Sequence, residues 1–186
     1  MRLPSTLILC LLTLVSFSQA RTTWRMSAST VKFSSEAPLE TIKAANTKST
    51  GILDPNARTF VVQIPVTGFE GFNSPLQREH FNENYMATDT WPKAFFQGRI
   101  IEAVDLSEPG THAVRAKGTL TIRDVERERI IPCSITITDE GVRVVSDFDV
   151  VLDEHGIRIP RVVQQKISPI VQVSADLFFK ADAKRE

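Results

Sequence analysis

Alternating apolar and polar residues recur along most of the chain, and this pattern is typical of strands with one buried face. In the run 59–66, for example, Phe60, Val62 and Ile64 lie on one face and Val61 lies on the other. Comparable runs cover residues 24–33, 51–53, 95–103, 112–122, 130–138, 142–152 and 170–179. The pattern therefore predicts about eight strands.

Most of these strands have one polar face, which is typical of an antiparallel sheet with one side in water. Closing such a sheet into a barrel removes the exposed edges that favour aggregation. We therefore expect an all-β fold, a closed antiparallel barrel of about eight strands. Three segments depart from the pattern: residues 27–30 indicate a break in the first strand, residues 34–46 an irregular stretch, and residues 123–129 a charged turn.

A short helical insert is predicted between the strands, in the segment 73–99. Ser74 is a suitable N-cap, and Pro75 suits the first helical position because it has no amide hydrogen to satisfy. Gln77, three residues after the cap, completes the pattern of a capping box. Trp91 and Pro92 then restart an extended chain.

The first 20 residues have the pattern of a signal peptide. Arg2 supplies the positive charge, residues 7–15 the apolar segment, and Ser18-Gln19-Ala20 a cleavage site. The apolar segment is shorter than the roughly 20 residues that a spanning helix needs, so we expect no stable membrane insertion. The sequence thus predicts one mature domain, residues 21–186, in the periplasm or secreted.

The charge of the chain is balanced, with 22 Lys and Arg against 22 Asp and Glu. A nucleic-acid partner is not expected, because such proteins carry a basic patch or stripe. No G-x-S-x-G motif and no phosphate-binding glycine-rich loop is present in the sequence. The composition and motifs therefore favour neither a nucleic-acid-binding protein nor a nucleophilic enzyme.

Four short elements give the chain a family resemblance: Glu79-His80-Phe81, Trp91-Pro92, Phe96-Gln97-Gly98 and the strand Gly118-Thr119-Leu120-Thr121-Ile122. In this order they resemble the YceI-like family of secreted barrels that bind polyisoprenoid lipids. The resemblance departs after Ile122, where Arg123-Asp124 replaces the usual His-Gly. It implies an elongated, lipocalin-like barrel that acts as a carrier and not as an enzyme, with no cofactor. The implied partner is an isoprenoid lipid or a quinone-like molecule, and a homodimer stays open.

The apolar faces of the strands provide candidate residues for such a lumen. We assign ten side chains to it, with His80 added as a contact for a head group: Phe60, Val62, Ile64, Phe96, Leu120, Ile122, Val144, Phe148, Val173 and Leu177. Small residues on the same faces are expected to leave the space: Ala116, Gly118, Ser146 and Ala175. Because alternation reveals a buried face and not a hole, an interaction module with a solid barrel stays open as an alternative.

His80 also supports a different alternative. Glu79 and Glu83 are four residues apart and share a helix face beside His80. This arrangement is compatible with a metal-assisted hydrolase or a redox protein. A catalytic zinc site, however, usually has three protein ligands, and the spacing of His112 and His155 predicts no convergence on His80. We therefore assign no metal and no catalytic residue.

Overall fold

The computed structural model describes residues 23–181, and in this part the chain forms nine strands and one α-helix. The strands are β1 (Trp24–Glu36), β2 (Thr41–Asn46), β3 (Thr50–Asp54), β4 (Thr59–Pro65), β5 (Lys93–Ile100), β6 (Gly110–Ile122), β7 (Val125–Thr138), β8 (Gly141–Val151) and β9 (Ile170–Ala181). The helix α1 covers Pro75–His80 and continues into a π-helical turn, Phe81–Tyr85. The predicted signal peptide, residues 1–20, and the domain limits at 21 and 186 lie outside the described residues.

Eight of these strands close into an antiparallel barrel. β1 closes it, since it pairs with β9 on one side and, at Trp24 and Arg25, with β3 on the other. β2 is an extra strand that pairs with the second half of β1. The predicted fold class, a closed antiparallel barrel with a short helical insert, is confirmed.

Two predictions about local structure are wrong in the first part of the chain. The first strand has no break at residues 27–30, because a bulge between Met26 and Ala28 shifts the register while pairing with β9 continues. The segment 34–46 contains β2, whose Ile42, Ala44 and Asn46 are buried at every second position. The polar and small residues of β2 hid this alternation.

The charged turn predicted at residues 123–129 is also wrong, because β7 already begins at Val125. Only Arg123 and Asp124 form the loop, and both have positive φ, 51° and 62°. A two-residue hairpin loop with positive φ at both positions matches the right-handed twist of its strands. The charged residues that follow therefore belong to a strand.

One half of the barrel is filled by its own side chains. This filled half lies around the β7–β8 hairpin and is closed by the β5–β6 connection, whose Leu106 is 1% exposed. Its buried apolar cluster includes Leu53, Ile100, Leu106, Val114, Ile135, Ile137, Val142 and Phe179. The opposite half, which carries α1, has a different interior.

Candidate ligand cavity

A cavity of about 500 Å³ lies in the half of the barrel that carries α1, which we call the hollow half. Its wall is almost entirely apolar. β1, β4, β5, β6, β8 and β9 contribute side chains that include Val31, Ile64, Ala94, Leu120, Ile122, Phe148, Val150, Val171 and Val173. The size lies within the range typical of small-molecule sites, roughly 300–1,000 Å³.

Four phenylalanine rings form a cluster along one side of this cavity. Phe33 of β1 stacks on Phe81 of the π-helical turn, with ring centroids 5.4 Å apart. Phe69 and Phe72 contact both of these rings at centroid distances of 5.1–5.9 Å. The cluster attaches the helical insert to the barrel. Sequence reasoning missed Phe33, Phe69 and Phe72 as wall residues, although the high density of Phe around the insert was a usable signal.

Polar groups hold the helix at the mouth of the cavity. The carboxylate of Glu40 accepts hydrogen bonds from the side chains of Gln77 (2.8 Å) and Asn73 (3.3 Å). Ser74 caps α1 as predicted, because its Oγ accepts from the Gln77 amide at 3.2 Å. The capping box is incomplete, however, since the Gln77 side chain accepts from the amide of Asn73 and not from that of Ser74. This hydrogen bond joins α1 to Asn73, the residue that precedes the N-cap.

Further polar side chains line the cavity: Ser35, His80, Tyr85 and Lys166. Burial raises the pKa of the Tyr85 phenol, so this hydroxyl stays protonated at neutral pH. His80 and Tyr85 come from the helical insert, whereas Lys166 comes from the β8–β9 connection. Groups of this kind can hydrogen-bond a polar head group while the wall contacts a tail.

The structure divides the eleven predicted site residues into two groups. Six line the cavity: Ile64, His80, Leu120, Ile122, Phe148 and Val173. Five point inward but do not line it: Phe60, Val62, Phe96, Val144 and Leu177. Position along each strand separates the groups, because Phe60 lies four residues from Ile64, or about 13 Å, towards the filled half. These five side chains lie inside the barrel but outside the cavity, and the ligand-binding role of all eleven residues stays a prediction.

The small residues expected to leave space do not lie at the cavity. Ala116, Gly118, Ser146 and Ala175 are absent from its wall, where the small residues are Ser35, Ser74 and Ala94. A Cβ atom added at Gly118 would approach the Gln97 carbonyl oxygen to 2.3 Å, so this glycine serves the close contact of β5 and β6. The space arises where the barrel is left unfilled, not where its residues are small.

A seam in the barrel wall borders the hollow half. β7 and β8 pair only over residues 134–138 and 141–145, and beyond this point the two strands separate. The segment Asp153–His155 fills the gap, and His155 is 0% exposed. Its Nδ1 lies 3.1 Å from the carbonyl oxygen of Val125, while its Nε2 is buried without a partner. No pattern in the sequence indicated this role of His155, because the role depends on a gap between two strands.

Burial lowers the pKa of His155, and the nearby Arg127 and Arg129 act in the same direction. The contact with Val125 and the charge of Glu154 act in the opposite direction. Because a carbonyl oxygen can only accept, Nδ1 carries the hydrogen of the neutral ring. The seam is therefore closed by a neutral histidine.

No group of three or more His, Cys, Asp or Glu side chains that could hold a metal ion occurs among residues 23–181. His80 faces the cavity, but Glu79 and Glu83 do not line it. A second space, about 770 Å³, is a groove lined by charged residues such as Lys32 and Asp147 together with apolar residues, of which Phe33, Phe148 and Val173 also line the cavity. A larger share of its lining is polar, so it suits a hydrocarbon less well than the wall of the cavity does. In the same part of the chain, no helix is long and apolar enough to cross a membrane.

A closed antiparallel barrel with one internal apolar cavity is the architecture of the lipocalin-like binding proteins. The chain belongs to the YceI-like domain family, whose model matches residues 18–179. The resemblance inferred from the sequence motifs is thereby confirmed.

Several solved structures share the fold, among them the following three. A polyisoprenoid binding domain from Saccharophagus degradans, implicated in plant cell wall breakdown, superposes with a TM-score of 0.73 at 14% identity, covering 86% of this chain and 98% of that chain. BcnA of Burkholderia cenocepacia gives 0.68 at 16% identity, with 81% and 95% covered. A YCEI protein of Campylobacter jejuni gives 0.53 at 10% identity, with 74% and 81% covered. Comparison with curated protein sequences gave no match. Membership of the family fits a lipid-binding role.

Proposed function

We propose that this protein is a non-enzymatic carrier that binds one isoprenoid lipid or quinone-like molecule, with the tail inside the hollow half of the barrel. The observation that carries the proposal is the apolar cavity of about 500 Å³ with polar side chains at its mouth. The polyisoprenoid binding of the neighbour from Saccharophagus degradans points to the same class of ligand.

The energetics of such a ligand match the wall. An isoprenoid tail has almost no group that hydrogen-bonds, so its affinity comes from leaving water, about 0.8 kcal/mol for each buried methylene. Phe148, Leu120 and Val173 offer it contacts without any polar atom to leave unsatisfied. At the mouth, His80, Tyr85 and Lys166 offer hydrogen bonds to a quinone oxygen or another polar head group.

The proposal includes transport outside the cytoplasm. Its support is the signal-peptide pattern of residues 1–20, with cleavage after Ala20. Expression of the full chain in a bacterial host, fractionation and sequencing of the mature N-terminus test it. A protein that keeps Met1 and stays in the cytoplasm would contradict this part. Sedimentation of the purified mature protein tests the homodimer, which the sequence leaves open.

The carrier role itself is tested by ligand analysis. Protein purified without added lipid is extracted with organic solvent, and the extract is examined by mass spectrometry. We expect a prenyl or quinone species at close to one molecule per chain. Protein that is free of lipid, and that takes up neither a prenyl alcohol nor an isoprenoid quinone after delipidation, would contradict the proposal.

A further inference from the structure

We propose that the cavity accepts only a short isoprenoid segment, so that the protein selects ligands of about three to four prenyl units over long polyisoprenoids. This inference rests on the proposed function and adds a rule for chain length. Its basis is that the cavity has a limited volume, an inner end closed by side chains, and a mouth bounded by the helical insert.

The volume sets the number of prenyl units. A cavity of about 500 Å³ equals the volume of roughly 17 water molecules at about 30 Å³ each. A methylene or methyl group in a hydrocarbon occupies about the same volume as a water molecule. Because a prenyl unit has five carbon atoms, the cavity is full after about three to four units.

The inner end of the cavity is closed by packed side chains. Val62 and Phe96 lie two residues beyond the wall residues Ile64 and Ala94 on β4 and β5, towards the filled half. The rings of Phe96 and Phe60 are in contact, with centroids 5.1 Å apart. Beyond them the buried cluster of the filled half continues to Leu106. A longer tail therefore finds no channel through the barrel.

The outer end is bounded by the helical insert. Phe81 packs on Phe33 and Phe72, and Glu40 is hydrogen-bonded to Gln77 across the mouth. Any unit beyond this boundary meets polar groups and water. Burial of hydrocarbon, the source of affinity, then stops increasing with chain length.

The experiment measures the affinity of delipidated protein for a series of prenols with the same hydroxyl head group. Geraniol, farnesol, geranylgeraniol and an eight-unit prenol compete against a fluorescent farnesyl analogue. We expect the affinity to rise at least tenfold for each added unit up to geranylgeraniol, and the eight-unit prenol to bind no more tightly than geranylgeraniol.

A variant that fills the cavity sharpens the test. Ala94→Phe adds six carbon atoms to the wall, about as many as one prenyl unit contains. We expect the tightest ligand of this variant to be about one unit shorter than that of the natural protein. Gln97→Phe places the same side chain on the outer, exposed face of β5 and is the matched control, for which the length profile should not change.

The outcomes separate the two proposals. If affinity keeps rising to the eight-unit prenol, the length rule is wrong while the carrier function stands. If no prenol of any length and no isoprenoid quinone binds, both are wrong. The natural protein alone decides between these results, so failure of Ala94→Phe to fold, seen by circular dichroism, leaves the test intact.

Discussion

The filled half and the hollow half of the barrel are built from the same strands with the same inward alternation, yet they have different interiors. Ile135 and Ile64 show the contrast, because both are isoleucines on inward faces. Ile135 is 2% exposed within the buried cluster, whereas Ile64 lines the cavity. The comparison teaches that a strand pattern defines a wall, and that neighbouring segments determine whether the space behind it is filled.

The connections at the two ends account for the difference. In the filled half, the β5–β6 connection inserts Leu106 among the side chains of β7, β8 and β9. In the hollow half, the helical insert lies over the barrel and none of the residues of α1 is buried. The β8–β9 connection fills the seam in the wall with His155 but leaves the interior open.

The largest expected effect is on stability, when one isoleucine in each half of the barrel is shortened to alanine. Ile135→Ala leaves a new void in a close-packed cluster and should lower the free energy of unfolding by about 2–5 kcal/mol. Ile64→Ala enlarges an existing cavity, loses fewer contacts and should cost about half as much or less. Urea denaturation of both variants measures the difference. Equal costs would mean that the hollow half is packed in solution.

The second-largest expected effect is on ligand affinity, when a carboxylate is placed on the inner or on the outer face of β9. Val173→Asp places a carboxylate in the apolar wall, which a bound tail would have to desolvate, so the affinity for farnesol should fall at least about 100-fold. Ser174→Asp lies one position on, facing the outer groove, and should leave the affinity within about twofold. Binding is measured by displacement of the fluorescent farnesyl analogue. Similar losses in both variants would place the ligand outside the barrel.

We expect a smaller effect from His155, which fills the seam: it makes the stability of the protein depend on pH. The pKa of His155 is lowered in the folded protein, so the unfolded chain binds a proton first as the pH falls below about 6.5. Stability should therefore decrease with falling pH below this value, by at most about 1.4 kcal/mol per pH unit. His155→Gln keeps a donor for the Val125 carbonyl and should flatten this dependence.

Urea denaturation between pH 5 and pH 7 checks the effect of His155, with His112→Gln as the control for a histidine outside the seam. The carboxyl groups with lowered pKa, Glu102, Asp105 and Asp176, titrate below this window in both states. If the natural protein and His155→Gln have the same slope over this range, the neutral histidine does not stabilise the seam.

The smallest expected effect concerns the helix at the mouth. Ser74→Ala removes the cap of α1 and should weaken the helix by about 1 kcal/mol. Because α1 buries none of its own residues, global stability should change less than this. Ligand exchange should become faster, as followed by stopped-flow fluorescence. Ser74→Asp retains a capping oxygen and should behave as the natural protein does; an equal acceleration in this variant would exclude capping as the cause.

The sequence predicted some parts of this structure well because their signals are local. The strands with strict alternation, such as residues 59–66 and 170–179, match β4 and β9 closely. Ser74 and Pro75 marked the start of α1, since a cap and a first-turn proline act within one turn. β2 was missed because its buried positions include Ala44 and Asn46, which carry little apolar signal.

The candidate site was predictable only in part. Alternation identified the inward face of every strand in the predicted lumen, but only five of the ten strand side chains line the cavity, while Phe60, Phe96 and three others do not. The Phe cluster of the insert and the buried His155 depend on contacts between segments far apart in the chain. No periodicity within one segment reports such contacts.

For this protein, local chemistry along the chain was enough to specify most of the strands, their inward faces, the helix start and the family. The hollow half depends on how distant segments meet: where β7 separates from β8, how far the helical insert reaches over the barrel, and which end receives Leu106. Empty volume is the space that no side chain enters. It is therefore a property of the assembled barrel, and no single strand encodes it.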